Sequence, residues 1–230
     1  MEYILFDDIN TYNDFGLLVQ EIIISEPPVK EEYVDIPGGD GKLDFSTALT
    51  GDVKYDNRTI TIKLAKVKNE NCYNEYSNVQ NALHGKNMKI ILSKDPNFYY
   101  IGKVKVKDFE RYTVLQNIVI ECDVEPYKYD LTSSAEDWLW NPFSFENGII
   151  NETKEIEVTG SADVVIYGRR KKVSPWITCE NAMQVIFDSR TYNLTANKQK
   201  VLDILISEGK NTLKFVGNGK VTIDYRGGSL

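Results

Sequence analysis

The 230 residues carry 27 Lys and Arg against 34 Asp and Glu, a formal net charge of -7. That balance argues against a duplex-binding protein, because neutralising phosphates takes clustered basic residues. With 42% hydrophobic and 27% charged residues the chain has the composition of one that buries a core, and its length predicts two units, 1–130 and 131–230.

The first residues read as a short strand over 3–6. Asp7 and Asp8 stand where a signal peptide would need a basic start and an unbroken apolar run. No apolar stretch approaches the about 18 residues that cross a bilayer, so a soluble product made in the cytoplasm is expected, with no membrane partner. The sequons at Asn57, Asn151 and Asn193 are then accidental. Residues 17–24 are rich in β-branched side chains and predict a longer strand, stopped by Pro27 and Pro28. Residues 30–36 continue extended, with the mixed character of an exposed edge.

The stretch Ile36-Pro37-Gly38-Gly39-Asp40-Gly41-Lys42-Leu43-Asp44 combines a fixed φ at proline with glycines that permit positive φ, and predicts a hairpin tip. Asp35, Asp40, Lys42 and Asp44 keep it at the surface, while Leu43 and Phe45 alternate with polar neighbours. It is not a phosphate loop: Ile36 occupies the required first glycine and Leu43 replaces the hydroxyl that would ligate magnesium. On residues alone it reads as a surface hairpin.

Residues 58–64 alternate strictly, placing Ile60, Ile62 and Leu64 on one face. Arg58 stands at the entry of this strand, expected either to pair in bidentate fashion with Asp35 or Asp44 or to remain a solvated charge. A helix is predicted over 73–84, with Tyr76, Val79 and Leu83 on its apolar stripe and Gly85 ending it. His84, the only histidine, reads as part of that cap, without partners for metal or catalysis. Strands follow over 88–92 and 103–107, and Ile118, Ile120 and Cys122 alternate in an antiparallel partner. The row Lys103, Lys105 and Lys107 is expected to be a solvated face guarding a sheet edge, or a face met by a second subunit.

The small polar residues 131–137 mark the boundary. Trp138, Trp140, Phe143 and Phe145 fall on one strand face, suited to sheet packing or to stacking on sugars. Further strand signals come at 156–158, 164–167, 185–187, 213–215 and 221–225. Turns are expected at Gly160, at Asp188-Ser189-Arg190, at 208–211 and at Gly217-Asn218-Gly219. The basic run Arg169-Arg170-Lys171-Lys172 reads as a solvated loop or a subunit contact. Cys72, Cys122 and Cys179 are too scattered for a disulfide framework and are taken as free thiols.

Several of these strings, in this order, resemble the distal tail protein family of long-tailed, non-contractile bacteriophages. They are the Ile36-Pro37-Gly38-x-Asp40-Gly41-x-Leu43-Asp44 run with Gly51 and Tyr55-x-Asn57-Arg58, then Leu83-His84-Gly85-Lys86, Tyr99-Tyr100-x-Gly102-Lys103 and Glu125-Pro126-Tyr127-Lys128-Tyr129. The resemblance covers roughly the first 130 residues closely and the rest loosely. It implies a mainly β fold in two domains: an N-terminal β-sandwich-like domain with one helix and a protruding hairpin, then a C-terminal galectin-like β-sandwich. It implies a non-enzymatic hub, a homohexameric ring joining the tail tube protein to a tail-associated hub or fibre protein and to receptor-binding proteins, in the virion at the tail tip.

In such a ring Ile36, Pro37, Gly38, Asp40, Gly41, Leu43, Asp44 and Arg58 would meet a neighbour. DNA would pass through the lumen without specific binding, since acidic walls do not retard phosphates. Galectin sugar sites place a histidine and an Asn-Pro-Arg string ahead of Trp-x-x-Glu. Here no histidine follows His84, and Cys179 stands three residues after Trp176 with Glu180 one position late, so the fold is expected without the site.

No cofactor motif, cysteine ligand cluster or nucleophile-base pair is present in the sequence. Two further readings stay open beside the hub. A carbohydrate-binding adhesin module predicts an exposed aromatic platform, and a wall-degrading hydrolase predicts two carboxyls facing across a cleft.

Overall fold

The computed structural model describes residues 2–48, 50–67, 71–112, 114–136 and 153–230. Trp138, Trp140, Phe143, Phe145 and Asn151 lie outside the described residues. The chain divides into two units, Met1–Asp95 with Tyr99–Pro126, and Pro96–Phe98 with Tyr127–Leu230. The architecture is mainly β with one helix among the described residues.

In the first unit the elements are β1 (Ile4–Phe6), β2 (Ile9–Asn10), β3 (Leu18–Ile24), β4 (Tyr33–Asp35), β5 (Lys42–Asp44), β6 (Arg58–Val67), α1 (Cys72–Leu83), β7 (Asn87–Leu92), β8 (Phe98–Arg111) and β9 (Leu115–Val124). The sheet order is β2-β1-β7-β8-β9-β6-β3, and each pairing is antiparallel. Alternation places Ile60, Ile62 and Leu64 of β6 on the buried face, as expected, beside Ile118, Ile120 and Cys122 of β9. Helix α1 covers this face through Val79 and Leu83, and Gly85, with φ of 79°, ends it.

Strand β8 pairs with both β7 and β9, so its lysine row does not guard an edge. Lys103 and Lys105 stand opposite Asp123 and Glu121, and the ammoniums of Lys105 and Lys107 lie 3.9 and 3.3 Å from the Glu121 carboxylate. The acidic partner comes from the neighbouring strand, which alternation along β8 alone does not identify.

The second unit contains β10 (Lys128–Asp130), β11 (Ile156–Gly168), β12 (Trp176–Cys179), β13 (Met183–Phe187), β14 (Arg190–Leu194), β15 (Asn197–Lys200), β16 (Gly209–Asp224) and β17 (Gly228–Ser229). Its main sheet runs β14-β13-β16-β12-β15, with β11 paired along β16. Ile166, Ile177, Val185, Phe215, Val221 and Ile223 form a second core. The turn expected at 188–190 is a two-residue hairpin connection between β13 and β14, made by Asp188 and Ser189 with φ of 46° and 64°, and Arg190 already belongs to β14.

Three expected turns are absent. Of the one expected at 208–211, residues 209–211 open strand β16, and the other two lie within strands. Gly160 lies inside β11 and Gly217-Asn218-Gly219 inside β16, and the ladder between those strands continues from Ile156↔Val221 to Gly168↔Gly209. Positive φ at these glycines bends the strands without interrupting their pairing.

Candidate functional site

The chain leaves β3 at Ile24 and rejoins the sheet at Arg58, and the residues between them form an arm. Its base is a short ladder. Val29 bridges to Tyr55, the Lys30 N–H donates to the Lys54 carbonyl at 2.8 Å and the Asp56 N–H to the Pro28 carbonyl at 2.8 Å. A Lys30 to Asp56 ion pair of 3.1 Å lies beside them.

At the tip, β4 and β5 pair only with each other, through Tyr33↔Asp44, Val34↔Leu43 and Asp35↔Lys42. The connection begins with the Gly39 N–H donating to the Ile36 carbonyl at 3.1 Å, Gly38 having φ of 74°. Proline second and a positive-φ glycine third is the sequence logic of a type II turn. The Ser46 N–H donates to Asp44 Oδ1 at 2.8 Å. The Ser46 side chain and then its backbone hold the Asp44 carboxyl below its usual range, while the charges of Glu31 and then Asp44 push the Tyr33 phenol up.

Period-two alternation sorts this hairpin into two faces. Tyr33, Asp35, Lys42 and Asp44 share one, where Lys42 and Asp35 pair at 3.5 Å. Val34, Ile36, Leu43 and Phe45 share the other, and all four are exposed, Val34 by 46% and Leu43 by 50%. An isolated two-stranded ribbon is marginal in water. Covering such side chains contributes about 1–2 kcal/mol each. Alternation of Leu43 and Phe45 was legible in the sequence. Val34 completing the same face follows only from the register.

The structure brings Ile36, Pro37, Gly38, Asp40, Gly41, Leu43 and Asp44 together at the tip. Arg58 is elsewhere: it lies on the core face of β6, 5% exposed. The expected pairing with Asp35 or Asp44 does not form, because Asp35 is taken by Lys42 and Asp44 by Ser46. Nε and Nη2 of Arg58 have no hydrogen-bond partner among the described residues. The neighbouring Tyr100 phenol is pushed above its usual range by burial, an effect opposed by the Arg58 charge. Alternation along β6 sends Arg58 the same way as Ile60, which overrides the preference of its charge for water.

His84 is the C-cap of α1, as expected, although its ring is used elsewhere. Its backbone N–H donates to Gln80 at 2.9 Å, but its Nδ1 accepts from the Val106 N–H at 3.1 Å. The cation at the end of the helix is Lys86, whose Nζ donates to the Ala82 carbonyl at 2.6 Å.

The basic run of the second unit is paired internally rather than solvated. Arg169 holds Asp130 through Nε at 2.8 Å and Nη2 at 2.7 Å, Arg170 faces Glu208 at 3.5 Å, and the Lys171 ammonium lies over the Tyr129 ring at 4.5 Å. Trp176 is 43% exposed, yet the ammoniums of Lys198 and Lys200 lie over its ring at 5.3 and 5.7 Å, so the ring does not offer a bare sugar platform. The carboxyls of Asp44 and Glu110 are both lowered, Glu110 chiefly by the Tyr112 hydroxyl and then by Asn117. Those surroundings favour the carboxylate, the opposite of what a general acid needs.

No protein-family model and no curated protein matches the sequence. Among solved structures, the chain is similar to the Dit protein (gp 19.1) of SPP1, described as a paradigm of the hub adsorption apparatus in phages that infect Gram-positive bacteria. The likeness covers 100% of both chains at a TM-score of 0.67 and 15% sequence identity. The chain therefore has a Dit-like fold.

Proposed function

We propose that this protein is a non-enzymatic structural hub of a phage tail tip. It assembles as a hexameric ring between the tail tube and the receptor-binding apparatus, and DNA passes through the central channel without specific binding. The observation that carries this reading is the full-length fold likeness to a phage hub protein. The exposed apolar face of the β4–β5 hairpin supports it: Val34, Ile36, Leu43 and Phe45 gain stability only when another surface covers them. In the ring that surface belongs to the adjacent copy, and a closed ring leaves no such face open. The net charge of -7 suits a lumen that repels phosphate.

The test is light scattering and sedimentation of the full chain over a wide concentration range, beside a Val34→Asp, Leu43→Asp double variant. The wild type assembles to six copies. The variant stays monomeric with an unchanged thermal midpoint, because the tip lies outside both cores. A wild type that remains monomeric at every concentration, together with an electron-microscopy map of the tail tip that lacks this chain, overturns the reading.

A further inference from the structure

Strand β8 runs on past the point where β7 begins, and the ladder between the two starts at Asn87↔Lys103. Beyond that pair the turn between α1 and β7 takes the place of a strand. The Gly85 N–H donates to the Val104 carbonyl at 2.7 Å, and the Val104 N–H donates to the Lys86 carbonyl at 2.8 Å. The Val106 N–H points the same way along β8, but there the chain alongside has entered α1. Its acceptor is a side chain, the Nδ1 of His84 at 3.1 Å. The imidazole does at Val106 what a backbone carbonyl does at Val104.

The contact joins two elements at sensitive points. His84 is the C-cap of α1 and directly follows Leu83, which is buried in the core. Val106 is 4% exposed, and immediately beyond it the register of β8 with β9 shifts, between Val106 and Asp108. The ring therefore fastens the end of the helix to β8 where the strand's other ladder is interrupted. A neutral imidazole has one N–H and one lone pair, so accepting at Nδ1 places the proton on Nε2. An imidazolium has an N–H at both nitrogens, so protonation and this hydrogen bond exclude each other. His84 is exposed, and the proton arrives from solvent without opening the core.

The charged residues on the surrounding elements are engaged elsewhere. Lys86 in the turn holds the Ala82 carbonyl. Lys105 and Lys107, on either side of Val106, lie at the Glu121 carboxylate of β9, and Lys89 of β7 lies over the Tyr99 ring. Lys103 stands opposite Asp123, Asp108 stands past the register shift, and α1 carries no charge after Glu75. The bonds at Val104 join backbone groups, which do not titrate, so the turn keeps its hold when the ring is charged.

We propose that His84 is a pH-operated clamp. While its ring is neutral it holds the end of α1 on β8, and on protonation it releases the Val106 N–H and loosens β8 at its register shift. The inference goes beyond the hub reading and does not depend on it.

The experiment is a nuclear magnetic resonance titration of the full chain from mildly alkaline pH into acid, following the His84 ring carbons and the amides of Val104 and Val106. The Val106 amide is expected to move with the same midpoint as the ring, and the Val104 amide to stay level through that transition. Amide exchange is then compared with His84→Asn, whose Oδ1 replaces the Nδ1 acceptor and does not titrate. The ratio of the Val106 exchange rates, wild type over variant, stays near one while the ring is neutral and rises by about tenfold or more once it is charged, as a local opening requires. The wild-type titration decides the matter without the variant. A Val106 amide that ignores the ring's titration, a ring that stays neutral until the chain unfolds, or the same acid response in His84→Asn overturns the proposal.

Discussion

Gly160 of β11 stands directly opposite Gly217 of β16, and both have positive φ, 73° and 150°. At this point β16 changes its other neighbour, pairing with β13 through Lys214–Val216 and with β12 through Val221–Asp224. A Cβ at Gly217 would lie 2.6 Å from the Met183 Cβ, whereas one at Gly160 meets nothing within 4 Å. Gly217→Ala should therefore lose about 3 kcal/mol or more, and Gly160→Ala about 1–2 kcal/mol from backbone strain alone. Urea denaturation of the two variants checks this, and equal losses would refute the steric account.

Arg58 is a buried cation with no carboxylate paired to it among the described residues. Replacing it with methionine removes two unsatisfied N–H groups and keeps the stem. Arg58→Met should be as stable as the wild type or more stable by about 1–2 kcal/mol. A loss of 3 kcal/mol or more would mean that a strong ion pair had been broken.

Burial pushes the Cys122 thiol up to about 12 from an ordinary 9.0. A pKa raised by folding means that the folded state holds its proton more tightly. The stabilising contribution is complete below pH 9 and is lost as pH rises from there through about 12. The stability of the wild type relative to Cys122→Ala should accordingly fall between pH 9 and 11, measured by urea titration. At pH 8 the native protein should leave Cys122 unlabelled by a thiol reagent that reacts once the chain unfolds.

Asp44 has the opposite sign. Its carboxyl is held below the ordinary 3.8 by Ser46, so the order this contact brings to the hairpin is present at neutral pH and is lost as pH falls through the folded-state value. Ser46→Ala should raise the Asp44 pKa toward the ordinary value in a carbon-detected titration. Amide exchange at Phe45 and Ser46 should quicken in the same variant. An Asp44 titration identical in both proteins would remove Ser46 as the cause.

Local pattern determined a good deal here. Ile60, Ile62 and Leu64 announce a half-buried strand, Val79, Leu83 and Gly85 a helix and its end, Asp188-Ser189 a hairpin, and Pro37-Gly38 the turn of the arm, because each signal is carried by residues that touch one another along the chain. Partners decided the rest. The direction of Arg58, the pairing of Lys105 and Lys107 with Glu121, the use of Arg169 on Asp130, the glycine bend inside the β11–β16 ladder and the hold of the His84 ring on Val106 all join residues far apart in sequence. Whether a charge is solvated, paired or stranded depends on what strand pairing places beside it, and that is settled when distant segments meet rather than by the order of residues within any one of them.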